Sequence, residues 1–587
     1  MAQPSSSAPG RPFVGAPMVG WYDPGQLAQT GVEVAISTIF GRYADHRILE
    51  GLAREQAVHD YRKGDDDTPR GSIWIDYVGD LGDGWDATYA VARELAKPTL
   101  KVASASGGGA ETARGRLLVL GGDQVYPTAS RTAYATRLIR PYEVALRNTE
   151  PPHLDVYAIP GNHDWYDGLV AFTRLFCTSR WMGGWRTRQT CSYFALRLPH
   201  GWWMLGTDVQ LASDIDEAQK RFFQDVARQM EPDDRIILCN AEPHWVFGSV
   251  YANDPDCNEH NLGYLEDRVL ARKISVYVAG DLHHYRRHEE EAPVDPTAPV
   301  QKITCGGGGA FLHPTHAPDV DRLPERDGQG KVRRTFGLRA SYPPPAESRR
   351  LAWRNLLFPY LNPWFGTVPA ILYLLTAWTL VPAVDRKAFE GWAPADVFAA
   401  TLDAVVKTPA AVFWIAAVLG GFLLFTDTHS RVYRIVGGLS HGLAHLIAIY
   451  AIGWAATWLT VEVLGLAFGR PLQLGLAGAV ILVAGYAASG FIMGLYLLIS
   501  VNGFGRHANE AFSSLRVADW KSFLRLHIDD RGGLTIYPIG LRRVPRRWRA
   551  SGEGPTLRVE AADARATAPE LIEPPITIPP RRAAAGR

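Results

Sequence analysis

Four long apolar stretches crowded between Trp364 and Val501 constrain this chain more than any other feature. They run from Trp364 to Val384, Pro409 to Phe425, about Leu443 to Phe468, and Leu474 to Val501. Each reaches the roughly 17–20 residues an α-helix needs to cross a bilayer. Charges collect between them: Asp385, Arg386 and Lys387, then Asp427, Arg431 and Arg434, then Arg470. A water-soluble helical domain would carry polar residues every three or four positions, and these stretches lack them. They are read as four transmembrane helices (about 364–384, 409–425, 443–468 and 474–501) in a membrane domain over residues 346–503. The 47% hydrophobic content of the 587 residues looks ordinary only because it averages this block with a polar remainder.

The remainder has a different texture. Residues 1–30 are rich in Pro, Ser, Ala and Gly and are expected to be disordered; no apolar run follows a basic start, as a secretory signal requires. Between 31 and 345, short apolar runs such as SIWIDYV, RLLVLGG, LDVYAIP, HGWWMLG, RIILCN and ISVYVAG end at polar residues or glycine. Helical patterns lie between several of them, which predicts a layered α/β domain. After the last apolar stretch, KSFLRLHID and LTIYPIG flank the turn Asp529–Gly533. A free hairpin is barely stable, so residues 504–545 are expected to pack back onto the N-terminal domain. The tail 546–587, rich in Pro, Ala and Arg, is expected to be disordered.

Charge narrows the function classes. Lys+Arg 61 against Asp+Glu 60 argues against a nucleic-acid partner. Five cysteines without a CxxC pair fit neither a disulfide scaffold nor a structural zinc site. An even number of spans would put both soluble ends on one side. Arg333, Arg334, Arg339, Arg349, Arg350 and Arg354 approach the first span, Arg431 and Arg434 join the second to the third, and Arg506, Arg516 and Lys521 follow the last. The opposite side has Arg386 and Lys387, offset by Asp385 and Glu390, and Arg470. The positive-inside rule then predicts a multi-pass membrane protein with its α/β domain and both termini in the cytoplasm, where the cysteines stay reduced.

Five segments at the ends of predicted strands carry the chemistry: Gly79-Asp80-Leu81-Gly82-Asp83, Gly122-Asp123-Gln124-Val125-Tyr126, Gly161-Asn162-His163-Asp164, Glu242-Pro243-His244, and Gly280-Asp281-Leu282-His283-His284. Any one of them is most simply a turn. Together they offer oxygen and nitrogen ligands suited to Mn, Fe or Zn, and loops beyond the carboxyl ends of strands are where α/β domains gather sites.

Their order resembles the calcineurin-like metallophosphoesterases over roughly residues 72–310, and the DxG start with the GDxxY segment resembles the purple acid phosphatase variant. The resemblance implies a four-layer αββα sandwich and two metal ions, divalent or of mixed valence. One would be held by Asp80, Asp123, Tyr126 and His283, the other by Asp123, Asn162, His244 and Asp281, with a metal-bridging hydroxide as nucleophile. It further implies His163 as the group that protonates the leaving oxygen, with Asp164 orienting its ring. Two positions depart from the family pattern. Asp281 stands where a histidine is usual, and is either a harder ligand or a turn residue. Tyr126 as a ligand would favour iron; otherwise it is a packed aromatic beside Pro127.

Weaker candidates remain open. Gly307 and Gly308, in the run after Cys305, could offer amides to a substrate phosphate or could let the chain pass the cluster. His313 and His316 could line the same cleft. Asp86 most simply caps the helix after it, and Asp83 most simply turns. In the third apolar stretch, His441 and His445 share a helical face and Glu462 lies deeper. The reading is a membrane-anchored phosphoesterase acting on a phosphomonoester, phosphodiester or pyrophosphate, its partner a phosphorylated small molecule or lipid head group. The alternative is a membrane sensor or transporter whose phosphoesterase-like domain binds a nucleotide without turnover.

Overall fold

The computed structural model describes residues 11–41, 57–64, 67–104, 107–147, 154–209, 214–251, 260–270, 273–326, 331–380, 383–426 and 430–581. Two units divide them: residues 1–19, 30–348 and 516–587 form one, and residues 20–29 and 349–515 the other.

The first unit is built on two sheets. In one, β1 (Ile73–Val78), β2 (Leu117–Gly121) and β3 (Leu154–Ile159) run parallel. In the other, β4 (Trp202–Gly206), β5 (Arg235–Asn240), β6 (Ile274–Ala279) and β7 (Gln301–Cys305) run parallel. All of β2, β3, β4 and β5 is buried, the condition in which a strand reads as a continuous apolar run instead of alternating. The sheets meet through contacts such as Tyr157 on Phe194, 5.3 Å between centroids. Helices close the outer faces. Helices α1 (Trp85–Ala96) and α2 (Val170–Phe176) share a core with β2 and β3. Helix α3 (Glu217–Arg228) starts at Asp216, whose carboxylate accepts from the Gln219 amide at 2.7 Å, and buries Phe222, Phe223 and Val226 against the second sheet. This is an α/β sandwich with helices outside two mixed sheets.

The chain returns to this unit after residue 515. Strands β8 (Lys521–Ile528) and β9 (Leu534–Leu541) form a hairpin, and β8 pairs antiparallel with β1, Arg525 opposite Asp76. Arg525 is fully buried and its Nε lies 3.0 Å from Asp76 Oδ1, while its other nitrogens reach Thr112 and the carbonyls ending α1. Burial still pushes the Asp76 carboxyl up to about 6, against the pull of Arg525. Removing one partner of such a pair costs about 3–5 kcal/mol because the other charge stays buried. The pair therefore fastens a segment 449 residues downstream onto the first site strand.

Both termini correct the expectation of disorder. Arg11–Phe13 pairs with Trp548–Ser551, which pairs with Arg558–Ala561, and Glu570–Leu571 and Ile576–Ile578 join β9. Pro24–Gly41 is helical. A few large residues do the anchoring that the Pro- and Arg-rich composition hides. Trp548 packs on Tyr89 at 5.0 Å and donates from Nε1 to Asp86 at 2.8 Å. Asp86 is thus no cap: α1 begins at Trp85 after Gly84. Residues 1–10 and 582–587 lie outside the described residues.

In the second unit, α4 (Thr367–Leu380), α5 (Pro394–Lys407), α6 (Pro409–Phe425), α7 (Arg431–Trp458) and α8 (Pro471–Phe504) follow in order. The expectation of four full spans is corrected. Among the described residues, only α7, continued to Val463, and α8 are each long and apolar enough to cross a membrane; counting the bent pair α5–α6 as one gives up to three. Thr408, before Pro409, is extended (φ −114°, ψ 98°), as proline demands of its predecessor, and the helices meet at 99°. Helix α4 has 14 residues, short of the expected stretch 364–384. It packs tightly on α8: a Cβ on Gly485 would come within 2.9 Å of the Tyr373 ring, the close approach small residues allow.

Candidate active site

The site lies beyond the carboxyl ends of the parallel strands: Asp80 follows β1, Asp123 follows β2, Asn162 and His163 follow β3, His244 follows β5, and Asp281 and His283 follow β6. Asp80, Asp123 and Asp281 all have left-handed backbone, with φ of 57°, 51° and 65°. Such a conformation costs a non-glycine residue about 1–3 kcal/mol and persists where the surroundings impose it. Here it turns three strand ends sharply, with the Asp80 and Asp123 carboxylates brought to one phenol oxygen. The Asp281 amide donates to Asp80 Oδ1 at 3.0 Å, and the Asp80 amide to the Gly122 carbonyl at 3.0 Å.

Tyr126 stands in the middle. Its Oη lies 2.9 Å from His283 Nε2, 3.0 Å from Asp123 Oδ2 and 3.4 Å from Asp80 Oδ1. His283 Nδ1 donates to the Phe311 carbonyl at 2.8 Å, so Nε2 is the nitrogen with a lone pair turned inward. Asp80, Asp123, Tyr126 and His283 are all under 5% exposed. Backbone closes over them without side chains: a Cβ at Gly161 would sit 2.1 Å from Asp123 Oδ1, and one at Gly306 would sit 1.9 Å from Asp80 Oδ2.

The electrostatics are those of a centre short of positive charge. Burial, then the charges of Asp123 and Asp281, holds the Asp80 carboxyl well above its usual range. Burial, then Glu242 and Asp123, does the same to Asp281. The Tyr126 phenol is pushed up by burial and then by Asp123, and His283 is pushed down by burial and then by His313. Asp80 Oδ2 is buried with no hydrogen-bond partner among the described residues. Counting His, Cys, Asp and Glu alone, no group of three among the described residues is placed to hold a metal ion. What the structure brings together is two carboxylates, the Tyr126 oxygen, and a histidine whose other nitrogen is held by a carbonyl, donor types that ligate metal ions elsewhere.

The remaining predicted residues divide. The His163 amide donates to Asp123 Oδ1 at 2.9 Å, and its ring packs on Tyr126 at 4.4 Å. Asp164 does not orient that ring, which corrects its expected role. His163 Nδ1 donates to the Pro127 carbonyl at 2.5 Å instead. The Asp164 carboxylate accepts from the Gly161 and Gln124 amides and from Tyr134 Oη at 2.6 Å, clamping the second and third motif loops together. Asn162 is exposed, its Nδ2 3.4 Å from Tyr166 Oη. His244 Nδ1 faces Asn240 and Nε2 faces Glu266.

Gly307 and Gly308 do not present amides to a substrate. The Gly308 amide donates to the Gly79 carbonyl at 2.9 Å, and the Gly307 amide bonds to Cys305. A Cβ at Gly307 would strike Ser522 Oγ at 2.3 Å, so these glycines let the chain pass between β1 and β8. His313 stacks on His283 at 3.9 Å, beside the cluster. His316 bonds Ser348. Asp83 is no simple turn residue either; it is buried and accepts from the Val19 and Phe311 amides. In the helical unit, His441 and His445 face each other with Nε2 atoms 3.3 Å apart, and Glu462 accepts from Trp392 Nε1.

Sequence reasoning missed Tyr134 and Lys521. Lys521 is fully buried and donates from Nζ to the Ala310 carbonyl; burial pulls its pKa down to about 8. Neither belongs to a motif, and Lys521 comes from beyond the apolar block.

No curated protein sequence matches the chain. Two solved structures overlap it weakly. The purple acid phosphatase PPD1 from yellow lupin (Lupinus luteus) seeds is 14% identical over 46% of this chain and 55% of its own, with a TM-score of 0.30. PhoD is 10% identical over 41% of this chain and 58% of its own, with a TM-score of 0.27. The chain thus spans just over half the length of either. The family model of the calcineurin-like phosphoesterases matches residues 73–285, from the first residue of β1 to the residue after the last site motif. Residues 73–285, built on these strand-end loops, thus match the calcineurin-like phosphoesterase family.

Proposed function

We propose that the protein is a membrane-anchored, metal-dependent phosphoesterase that hydrolyses a phosphomonoester, phosphodiester or pyrophosphate on a small molecule or lipid head group. The observation that carries the reading is the convergence of Asp80, Asp123, Tyr126 and His283 on one buried centre with an unpartnered carboxylate oxygen. These four would hold one metal ion; Asp123, Asn162 and Asp281 would face a second. Mn, Fe or Zn suits such donors, iron most if Tyr126 binds as phenolate. Bound ions would supply an ionised water and stabilise charge developing on the phosphoryl oxygens.

The chain's own residues do the rest. Asp123 fixes the His163 backbone through its amide, and the Pro127 carbonyl holds the proton on Nδ1. Nε2 is then the nitrogen that can hand a proton to the leaving oxygen. Asp164 keeps the loops carrying Asp123 and His163 in register. The test is a panel of mono-, di- and pyrophosphate substrates offered to detergent-purified, metal-loaded protein. Turnover of at least one class is expected, and tight nucleotide binding without any turnover would favour the sensor instead.

Membrane anchoring is supported by α7 and α8. An even number of crossings is supported by β1 and β8. They pair in one sheet yet lie on either side of the helical unit in sequence, so the chain must leave the membrane on the side it entered. Two crossings, by α7 and α8, satisfy this and three do not. The arginines flanking these helices favour the cytoplasm as that side. Reporter fusions at residue 1 and after Arg587 should both read cytoplasmic; opposite readings would overturn the anchoring scheme.

A further inference from the structure

We propose that the helical unit holds a lipid: a cavity among α4–α8 takes one acyl chain of an ester-linked membrane phospholipid. The proposal goes beyond the phosphoesterase reading and rests on membrane anchoring alone.

The cavity measures about 560 Å³, inside the range of roughly 300–1,000 Å³ typical of ligand sites. Among the described residues, no charged side chain lines it. Its hydroxyls and its one amide are already satisfied within the protein. Thr401 Oγ1 donates to the Val397 carbonyl and Thr457 Oγ1 to the Gly453 carbonyl. Thr376 Oγ1 donates to the Leu372 carbonyl and accepts from Trp414 Nε1. Gln473 bonds Thr460 through Nε2 and the Gly469 amide through Oε1. These groups leave hydrocarbon as the surface an occupant meets.

Trp454 is the exception. It lines the cavity, and its Nε1 is buried with no hydrogen-bond partner among the described residues. A buried N–H left unpaired is costly, so an occupant that brings an acceptor is favoured over a plain alkane. Water fits poorly, because it needs about two to four polar partners and one donor is on offer. A phosphorylated cargo fits worse, since no cation meets its charge. A hydrocarbon chain with a carbonyl at one end meets both demands, and the bilayer that α7 and α8 are apolar enough to cross is made of such chains.

Bonds between helices hold the walls in place. Tyr450 on α7 donates from Oη to the Pro394 carbonyl that begins α5, at 2.5 Å, and its ring meets Phe398 at 5.3 Å. Trp414 on α6 reaches Thr376 on α4 at 2.8 Å. Phe398 and Leu402 on α5 line the cavity yet are each about half exposed, which gives a chain its way in. Gly453 leaves part of the room, because a Cβ there would meet nothing within 4 Å.

The experiment reconstitutes full-length protein in phosphatidylcholine vesicles doped with a phosphatidylcholine that carries a diazirine on one acyl chain, and maps the photo-adducts by peptide mass spectrometry. Two residues of α8 serve as markers: Ile481, 6% exposed and lining the cavity, and Val483, 74% exposed. Wild type should be labelled at both, and at Trp454. Gly453→Phe should lower labelling at Ile481 and Trp454 by about fivefold or more, since a filled cavity has no room left, with Val483 unchanged. The ester-linked probe should label the cavity about two- to tenfold better than its ether-linked analogue, the worth of one hydrogen bond. Trp454→Phe should abolish that preference, and it reports even if Gly453→Phe folds poorly. Labelling of Val483 without Ile481, cavity labelling that survives Gly453→Phe, or equal labelling by ester and ether probes in wild type would overturn the lipid site while leaving the anchor standing. A protein labelled nowhere in α7 or α8 would instead overturn membrane anchoring itself.

Discussion

Asp123→Asn is expected to lose bound metal and turnover together. The substitution is conservative in shape, and asparagine tolerates the left-handed backbone (φ 51°) at this position. What it removes is one negative charge from the carboxylate nearest Tyr126 Oη, which also accepts the His163 amide. An outer-shell partner of a metal is worth about 10–100-fold in affinity or activity; a residue assigned to touch both ions should exceed that. Elemental analysis beside turnover decides the matter. Full metal content with full activity would remove Asp123 from the centre.

His163→Ala should behave differently. The histidine is assigned a proton, not a metal, and such groups contribute about 10²–10⁴-fold in rate. The variant should keep its metal and a similar KM while kcat falls by about that range, the signature of an interaction made only in the transition state. The loss should shrink on substrates with good leaving groups, which need little protonation. Undiminished turnover on a poor leaving group would take His163 out of the mechanism.

The strand-end motifs were legible because each is a short contiguous segment in which a buried apolar run stops at glycine and a ligand type. Strand-length apolar runs ending at polar residues or glycine were enough to read β1, β2, β3, β5 and β6 as strands. It could not show which way a side chain turns after the strand ends. Asp164 adjoins His163 in sequence, yet its carboxylate points back to the Gln124 and Gly161 amides, and a proline carbonyl takes the role given to it. His244 was implied as a ligand by the family resemblance, and no local pattern shows that its ring lies between Asn240 and Glu266. The glycines after Cys305 suggested a phosphate cradle; the structure gives their amides to Gly79 and Cys305 and their space to Ser522.

Composition misled most at the ends of the chain. The tail is dominated by Pro, Ala and Arg, but Trp548, Val559 and Ile578 are each at most 3% exposed, and a few such anchors suffice to order strands. In the apolar block, hydropathy placed the stretch Pro409–Phe425 on the bounds of α6 but gave α4 more residues than its 14 and did not show that α5 precedes α6 at a bend of 99°. Lys521 and Arg525 were beyond any local argument, because their partners lie hundreds of residues upstream across the helical unit.

The most direct test of the account is removal and return of metal. Chelated, detergent-purified wild-type protein should lose hydrolysis of its best phosphoester while staying folded, since Asp76 and Arg525 and the two sheets do not depend on the site. Readdition of Mn²⁺ should restore turnover in proportion to occupancy, reaching a plateau at two ions per chain. Metal-free protein that hydrolyses the same substrate at the original rate would contradict a metal-dependent centre on Asp80, Asp123, Tyr126 and His283.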